Sequence, residues 1–191
     1  MAIEIELKFK IGNPILNRER LKKLSAKFIG KAFERTIRFD TKNKELEKEG
    51  KFLRVRTGFK NTITFKKKIE KSDKRFRERE EIEFEISDPK KMQVILENIG
   101  FTRKLIMEKY REKWQWGSAE IVIDRLPFGY FIEIEGSGKA ILKTINSMEL
   151  DFQDKITDTY WGLWEVIVKN IILKTRILFF NNCYNLVKSG K

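Results

Sequence analysis

Histidine is absent from this 191-residue chain, and cysteine occurs once, as Cys183. Without histidine, neither imidazole acid/base chemistry nor a histidine-ligated zinc site can form. A single cysteine excludes an intramolecular disulfide and a thiolate metal cluster, which is typical of a reducing, cytoplasmic environment. Carboxylates remain as metal ligands, and they suit hard cations such as Mg²⁺ and Mn²⁺. No long uncharged apolar run predicts a transmembrane segment.

Positive charge is abundant. Lysine and arginine total 41 residues against 28 aspartates and glutamates, which gives a formal net charge of +13. This excess favours a polyanionic partner, namely a nucleotide, polyphosphate, nucleic acid or acidic membrane surface, and charge alone does not choose among them. With 41% hydrophobic residues, the chain is large enough for one domain with a substantial core.

Charged and apolar residues alternate strictly near the N-terminus, from Ile3 to Lys10. In a β-strand this period sends Glu4, Glu6 and Lys8 to one face. A single such strand is equally typical of a solvent-exposed edge. The same alternation recurs in residues 53–56, 64–68, 79–86, 109–114 and 131–135. Six such strands in one sheet would form a surface suited to a polyanion and its metal ions.

Segments 6–14 and 81–89 share one polar and apolar pattern, 81 − 6 = 75 residues apart. Each ends in an Asn-Pro or Asp-Pro pair that predicts a helix N-cap followed by proline at the first helical position. The apolar stripes that follow predict helices ending near Gly30 and Gly100. We therefore predict two related halves, one reaching about Lys68 and the other running from Arg77 to about Glu135.

The apolar faces of these strands need cover, and the two helices are the nearest elements in the chain that can supply it. Two half-sheets closing around their charged faces would form a barrel with a polar interior. Burial of unpaired charges is unfavourable, but charges of both signs, water, metal and an anionic ligand could balance one another in such an interior.

The opening Glu4-x-Glu6-x-Lys8 resembles the ExExK signature of the CYTH superfamily, the triphosphate tunnel metalloenzymes, which include thiamine triphosphatases, inorganic triphosphatases and class IV adenylyl cyclases. Similar segments follow in order at residues 39–41, 53–56, 62–66, 79–83, 109–111, 123–124 and 129–135. The resemblance spans roughly residues 3 to 160. It implies an α+β domain over residues 1–165, with an antiparallel eight-stranded β-barrel and helices packed outside.

The resemblance also implies functional residues on this barrel. The carboxylates matching its metal ligands, for one or two Mg²⁺ or Mn²⁺ ions, are Glu4, Glu6, Glu133 and Glu135. The basic residues matching its phosphate contacts are Lys8, Arg54, Arg56, Lys66, Arg79, Lys109 and Arg111. The candidate catalytic residues are Lys8, Lys66, Glu81, Glu83 and Asp124. The three carboxylates among them would bind a second metal, orient water or hold basic side chains.

Three functions remain open from the sequence. The first is metal-dependent hydrolysis of inorganic, nucleoside or thiamine triphosphate. The second is an adenylyl cyclase, in which the ribose 3′-hydroxyl attacks the α-phosphate and pyrophosphate leaves. The third is non-catalytic binding of RNA or polyphosphate, although a plain polyanion binder gains nothing from four carboxylates.

The C-terminal segment 166–191 matches nothing in the family pattern. It mixes apolar residues with Lys169, Lys174 and Arg176, which interrupt any membrane span. We favour a helix that packs on the barrel or on a second copy in a homodimer over an interfacial membrane anchor.

Overall fold

The computed structural model describes residues 2–69 and 73–175. Nine strands are present there: β1 Ala2–Ile11, β2 Lys27–Thr41, β3 Lys51–Thr57, β4 Thr62–Lys68, β5 Arg77–Glu85, β6 Phe101–Trp116, β7 Ala119–Leu126, β8 Gly129–Glu135 and β9 Lys155–Ile156. The helices are α1 Pro14–Lys23, α2 Glu45–Lys48, α3 Pro89–Asn98, α4 Gly138–Ser147 and α5 Tyr160–Thr175, with a 3₁₀ turn at Phe152–Asp154.

The strands form one antiparallel sheet in the order β5-β4-β3-β2-β6-β7-β8-β1. Pairing of β1 with β5 closes this sheet into an eight-stranded barrel, and β9 adds to the far end of β1. The predicted α+β barrel is confirmed. Its two halves are also as predicted, because β4 ends at Lys68, β5 begins at Arg77 and β8 ends at Glu135.

The two predicted N-caps are confirmed. Asn13 Oδ1 accepts hydrogen bonds from the amides of Ile15 and Leu16 at the start of α1, at 2.9 and 3.4 Å. Asp88 Oδ1 accepts from the amides of Lys90 and Lys91 at the start of α3, both at 3.0 Å. The two halves therefore begin their helices with the same side-chain cap.

The helix ends differ between the halves. Helix α3 ends at Asn98 and is followed by Gly100 with φ 98°, as the predicted glycine stop requires. Helix α1 was predicted too long. It ends at Lys23 because Ser25 adopts φ 55° and redirects the chain, so that Phe28 lies in β2 with half of its surface exposed.

Two apolar clusters cover the outside of the barrel. The larger contains Leu7 and Phe9 of β1 with Ile121 and Ile134, and helices α1 and α4 cover it through Leu21, Ile141 and Ile145. The smaller contains Ile37, Phe39, Leu53 and Val55, which Leu96 of α3 covers. The helices thus bury the apolar side of the strands, as predicted, and leave the charged side for the interior.

Helix α5 belongs to a separate compact unit that starts at Thr157. Thr159 precedes the helix, and its Oγ1 accepts a hydrogen bond of 3.0 Å from the Gly162 amide. The helix runs across the predicted boundary at residue 165, and the predicted tail beyond Thr175 lies outside the described residues. No helix in the described part of the chain is long and apolar enough to cross a membrane.

Candidate active site on the inner face of the barrel

The inner face of the barrel carries the charged residues that alternation predicted. Strand register places Lys8 opposite Glu133, Glu4 opposite Arg79, and Lys66 opposite Glu81. The same side of the sheet holds all fourteen predicted site residues, namely Glu4, Glu6, Lys8, Arg54, Arg56, Lys66, Arg79, Glu81, Glu83, Lys109, Arg111, Asp124, Glu133 and Glu135. Fourteen positions scattered over 132 residues of sequence are therefore brought to one surface.

A first group, which we call the Arg111 cluster, consists of Glu34, Lys109, Arg111, Asp124 and Glu133. Arg111 donates to both oxygens of Asp124, at 2.8 and 2.6 Å, and also to Glu133. Lys109 donates to Asp124 at 2.8 Å. Glu34 lies 3.7 Å from Lys109 Nζ and 3.6 Å from Arg111 Nε. The two basic groups therefore have three carboxylates around them.

Burial and charge act against each other on the pKa values of this cluster. Burial alone would lower the pKa of Arg111, but the charge of Asp124 raises it well above its ordinary value. Burial and the charge of Arg111 lower the pKa of Lys109. Burial would raise the pKa of Glu133, but Lys8 and Arg111 hold it well below the usual range. Burial would likewise raise the pKa of Asp124, but Arg111 and Lys109 lower it, so Asp124 and Glu133 are ionised and hold the basic groups in position.

A second group, the Arg54 cluster, consists of Arg54, Arg56, Thr64, Glu81 and Glu83. Arg54 Nε donates to Thr64 Oγ1 at 3.1 Å, whereas its terminal nitrogen is 4.0 Å from Glu81 and 3.7 Å from Glu83. Arg56 donates to Glu83 at 3.1 Å, and Thr64 donates to the same carboxylate at 2.6 Å. Burial and the neighbouring charge of Arg56 lower the pKa of Arg54. Arg54 is therefore only weakly neutralised.

Lys66 joins this region to the N-terminal strand. Its ammonium group donates to Glu4 and lies 3.3 Å from Glu81, and its side chain is 12% exposed. Lys67, the next residue, is exposed on the outer face, as the strand period predicted. Arg79 differs from the other predicted phosphate ligands, because it donates to the backbone oxygen of Gly50 at 3.1 Å. Burial and the charge of Arg77 lower the pKa of Arg79.

Four carboxylates, Glu4, Glu6, Glu133 and Glu135, lie on the part of the inner face formed by β1 and β8, which we call the β1–β8 carboxylate region. Glu6 lies directly opposite Glu135 in the strand register, and it is in contact with the guanidinium of Arg77. Lys8 lies 3.1 Å from Glu133. Desolvation and the charges of Glu4 and Glu120 raise the pKa of Glu135 to about 7. Negative charge therefore exceeds positive charge around Glu135.

The β1–β8 carboxylate region suits a hard divalent cation, because its potential metal ligands are carboxylate oxygens and its negative charge is not balanced. Within residues 2–69 and 73–175, however, no group of three potential ligands converges on one point. Glu4, Glu6 and Glu133 instead contact Lys66, Arg77 and Lys8. The four carboxylates are therefore of the chemical type that binds such a cation, but three of them are paired with basic side chains.

Arg77 and Glu34 are among the inner-face residues that were missed from the sequence. Arg77 continues the alternation of Arg79, Glu81 and Glu83 by one more step, so the period could have identified it. Glu34 belongs to another alternating stretch, Glu34-x-Thr36-x-Arg38-x-Asp40, which has the same signal as the predicted strands. Glu34 is 4% exposed, and Gly58 leaves the space that its side chain fills.

Comparison with known proteins identifies relatives of this chain. A Methanocaldococcus jannaschii protein, provisionally named an adenylate cyclase, is 36% identical over 137 residues, which are 71% of this chain and 77% of that protein. A Vibrio parahaemolyticus structure with the same provisional name has a TM-score of 0.76 at 20% identity and covers 86% of this chain and 98% of its own. The Hippeastrum protein HpAC1, described as an adenylyl cyclase candidate with a dominant triphosphatase activity, has a TM-score of 0.54 at 19% identity and covers 98% and 96%.

The two structures establish likeness of fold, and the family is established from sequence. The family model described as the CYTH domain matches residues 2–158, which contain the whole barrel and every residue of the two clusters. On this evidence the chain belongs to the CYTH domain family.

Proposed function

We propose that this protein is a divalent-metal-dependent triphosphatase that acts on a triphosphate inside the barrel. The observation that carries the proposal is the Arg54 cluster on the closed inner face. There Arg54 lies 3.7 and 4.0 Å from Glu83 and Glu81, and the neighbouring Arg56 already donates a 3.1 Å hydrogen bond to Glu83. A polyanion would supply the missing negative charge. Guanidinium groups also make planar, bidentate contacts with phosphate oxygens, which favours a phosphate chain as the ligand.

The phosphate chain would extend from the Arg54 cluster toward the Arg111 cluster. Arg54, Arg56 and Lys66 would contact it on one side, and Lys109 and Arg111 on the other, with Lys8 and Arg79 at the ends of this row. Because the carboxylates already hold Lys109 and Arg111 in position, these two groups need little reorganisation when the substrate binds. Preorganised charge of this kind contributes most of the rate in phosphoryl transfer.

We assign the metal site to Glu4, Glu6, Glu133 and Glu135. A bound Mg²⁺ or Mn²⁺ would neutralise phosphate charge and relieve the repulsion around Glu135. When a phosphate chain is bound, Lys66 and Arg77 can exchange their contacts with Glu4 and Glu6 for contacts with phosphate oxygens. That exchange would release two carboxylates for the cation, so substrate and metal binding should be coupled.

The attacking water needs an oriented acceptor, because the chain has no histidine. Glu81 and Glu83 are the candidates. Glu81 lies 4.0 Å from Arg54 and 3.3 Å from Lys66, whereas Glu83 already accepts hydrogen bonds from Arg56 and Thr64. Asp124 is fully buried and already bound by Lys109 and Arg111, so we assign it the positioning of those two groups.

Adenylyl cyclase activity is the second candidate, and the name of the 36% identical relative favours it. The same basic residues would bind the triphosphate of ATP. The ribose 3′-hydroxyl would replace water as the nucleophile, attack the α-phosphate and release pyrophosphate. The two reactions therefore share the charged groups and differ in the nucleophile that reaches the phosphate chain.

A product assay separates the two activities. Tripolyphosphate, ATP and thiamine triphosphate are each incubated with the protein and Mg²⁺ or Mn²⁺, and orthophosphate, pyrophosphate and cyclic AMP are measured. Orthophosphate release supports the triphosphatase, whereas cyclic AMP with equal pyrophosphate supports the cyclase. Turnover unaffected by EDTA, or by Glu6→Gln, would contradict the metal assignment.

The adjacent pair Lys66 and Lys67 tests the inner face against a general polyanion surface. Lys66→Ala should reduce turnover or triphosphate affinity sharply, because Lys66 lies on the inner face beside Glu4. Lys67→Ala removes the same charge from the exposed outer face and should change stability by no more than about 0.5 kcal/mol. Equal losses of affinity and of salt dependence in both variants would instead indicate an RNA or polyphosphate binder that uses the whole lysine run.

A further inference from the structure

A second charged site lies on the outer face of the barrel, on the opposite side of strands β6, β7 and β8 from the Arg111 cluster. A cavity of about 120 Å³ opens there, and we call it the outer pocket. The residues that define it for this argument are Arg18 of α1, Lys31 of β2, Tyr110 and Glu112 of β6, Arg125 of β7 and Tyr130 of β8. None of them was among the predicted site residues.

Glu112 forms a fixed base for this pocket. It is buried, and Arg18 grips its carboxylate through two hydrogen bonds of 2.7 and 2.9 Å. Lys31, opposite Glu112 in the register, lies 3.3 Å from the same carboxylate. Burial would raise the pKa of Glu112, but the hydrogen bond from Arg18 holds it below the usual range. The carboxylate is therefore ionised and aligns two cations along one wall.

A second row of side chains completes the pocket. Arg125 lies directly opposite Tyr110 on one neighbouring strand and opposite Tyr130 on the other. Phe33 packs against the Tyr110 ring with a centroid separation of 5.2 Å, which restrains that ring. No ion pair among residues 2–69 and 73–175 involves Arg125. Its charge therefore lacks a carboxylate partner in that part of the chain, between two phenol groups that can donate hydrogen bonds.

The charge count identifies the kind of ligand. Arg18, Lys31 and Arg125 contribute three positive charges and Glu112 one negative charge, so the pocket has a formal charge of +2. Its volume is far below the roughly 300–1,000 Å³ of pockets that enclose drug-sized ligands. The pocket suits a compact dianion with several acceptor oxygens, and excludes an enclosed nucleoside.

We propose that the outer pocket is a binding site for a phosphate group, separate from the triphosphate site inside the barrel. Arg125 has no ion pair in the described part of the chain, and Lys31 shares the Glu112 carboxylate with Arg18, so the net charge of +2 remains available to the ligand. Tyr110 and Tyr130 supply hydroxyl donors. Free inorganic phosphate and the phosphate end of a phosphomonoester share this chemistry, and anything attached to the phosphate would extend into solvent.

Tyrosine-ring NMR tests the proposal in the full-length protein. The chain has four tyrosines, so ring signals of ¹³C-tyrosine-labelled protein can be assigned with Tyr110→Phe and Tyr130→Phe. Inorganic phosphate is titrated at constant ionic strength. We expect the Tyr110 and Tyr130 signals to shift and saturate. Signals that shift linearly without saturation, or no more than they do with acetate, would overturn the proposal.

Matched double variants separate the pocket from general positive charge. Lys31→Gln with Arg125→Gln should weaken phosphate binding at these tyrosines at least about tenfold, since each charge-assisted contact normally contributes that much. Lys22→Gln with Lys23→Gln removes two exposed charges of α1 that do not line the pocket, and should change affinity less than about twofold. Equal weakening in both would show non-specific attraction and contradict the site.

Two further titrations complete the test. Adenosine monophosphate replaces inorganic phosphate in one of them, and saturable shifts of both tyrosine rings with either ligand support the site. The ligand that binds more tightly identifies the source of the phosphate. In the other, the Arg54→Ala/Arg56→Ala protein should give the wild-type titration at Tyr110 and Tyr130. Loss of the shifts in that protein would place the phosphate inside the barrel and overturn the outer pocket, whatever reaction the barrel catalyses.

Discussion

The Arg111 cluster and the Arg54 cluster contain similar basic groups in different surroundings. Arg111 and Lys109 share three carboxylates, of which Asp124 is fully buried and Glu34 nearly so. Among the described residues, the carboxylates within 4 Å of Arg54 are Glu83 at 3.7 Å and Glu81 at 4.0 Å, and a threonine hydroxyl is its hydrogen-bond acceptor. The protein therefore neutralises one arginine by itself, whereas the proposed triphosphate would neutralise the other.

This difference separates stability from binding. A buried charge that loses its partner destabilises the fold, whereas an under-neutralised charge at a ligand site contributes mainly when the ligand is present. Substitutions in the Arg111 cluster should therefore lower the free energy of unfolding. Substitutions in the Arg54 cluster should lower the affinity for triphosphate.

The largest expected effect is that of Asp124→Asn. The amide cannot balance the buried charges of Lys109 and Arg111, so we expect a loss of about 3–5 kcal/mol in the free energy of unfolding, measured by urea denaturation. Glu83→Gln, in the Arg54 cluster, should lose about 1 kcal/mol or less because its carboxylate is partly exposed. Similar losses in the two variants would remove the proposed difference between the clusters.

Arg54→Ala should show the opposite behaviour, with stability near that of the wild type and weaker binding of tripolyphosphate. A charge-assisted hydrogen bond contributes about 1.5–3 kcal/mol, and calorimetry at fixed salt can resolve a loss of that size. Orthophosphate serves as the control ligand, since it cannot span the two clusters, and both ligands are titrated in a Lys31→Gln/Arg125→Gln background so that the outer pocket contributes little. If both ligands lose the same affinity, Arg54 does not belong to an extended phosphate site.

Gly58→Ala tests the Arg111 cluster through its second carboxylate. A Cβ at position 58 would lie 2.7 Å from Glu34 Cγ, so the Glu34 side chain must move away. We expect a stability loss of about 1–3 kcal/mol from overpacking, together with weaker triphosphate binding. Glu34→Ala removes the overlapping side chain, so Gly58→Ala should cost much less stability in a Glu34→Ala background than in the wild type. Equal costs of Gly58→Ala in the two backgrounds would contradict this explanation.

Local chemistry is what the sequence predicted well. Alternation assigned Lys66 and Lys67 to opposite faces because a strand has a period of two whatever its neighbours are. Asn13 and Asp88 were identified as helix caps because capping involves residues two or three positions apart. The closed barrel also agreed with the family resemblance, which supplied the strand number that periodicity could not.

Long-range pairing could not be read from the sequence. Glu34 meets Lys109 only because β2 and β6 pair in one register, and a shift by one residue would turn it to the other face. Arg18 and Glu112 are 94 residues apart, and their contact depends on how α1 packs on the barrel. For this reason Glu112, a charged residue in an alternating strand, turned out to belong to an outer pocket rather than to the inner face.

The smallest expected effect concerns Glu135, the acidic counterpart of Arg54, since it too has few opposite charges near it. Desolvation and neighbouring carboxylates raise its pKa to about 7 in the folded protein from an ordinary value of 4.5. The folded state therefore binds the proton more tightly than the unfolded state. The resulting stability is fully present below about pH 4.5 and is lost as the pH rises through about 7.

In EDTA, we expect the urea midpoint to fall between pH 5 and 8 by the equivalent of about 1 kcal/mol or less, because the side chain is exposed and solvent screens it. Glu135→Gln should flatten this dependence, whereas Glu19→Gln, on the exposed face of α1, should keep it. If the pH dependence of the urea midpoint survives in Glu135→Gln, the like charges of the β1–β8 carboxylate region do not repel one another enough to require a cation. The contrast between balanced and unbalanced parts of the inner face would then depend on the arginines alone.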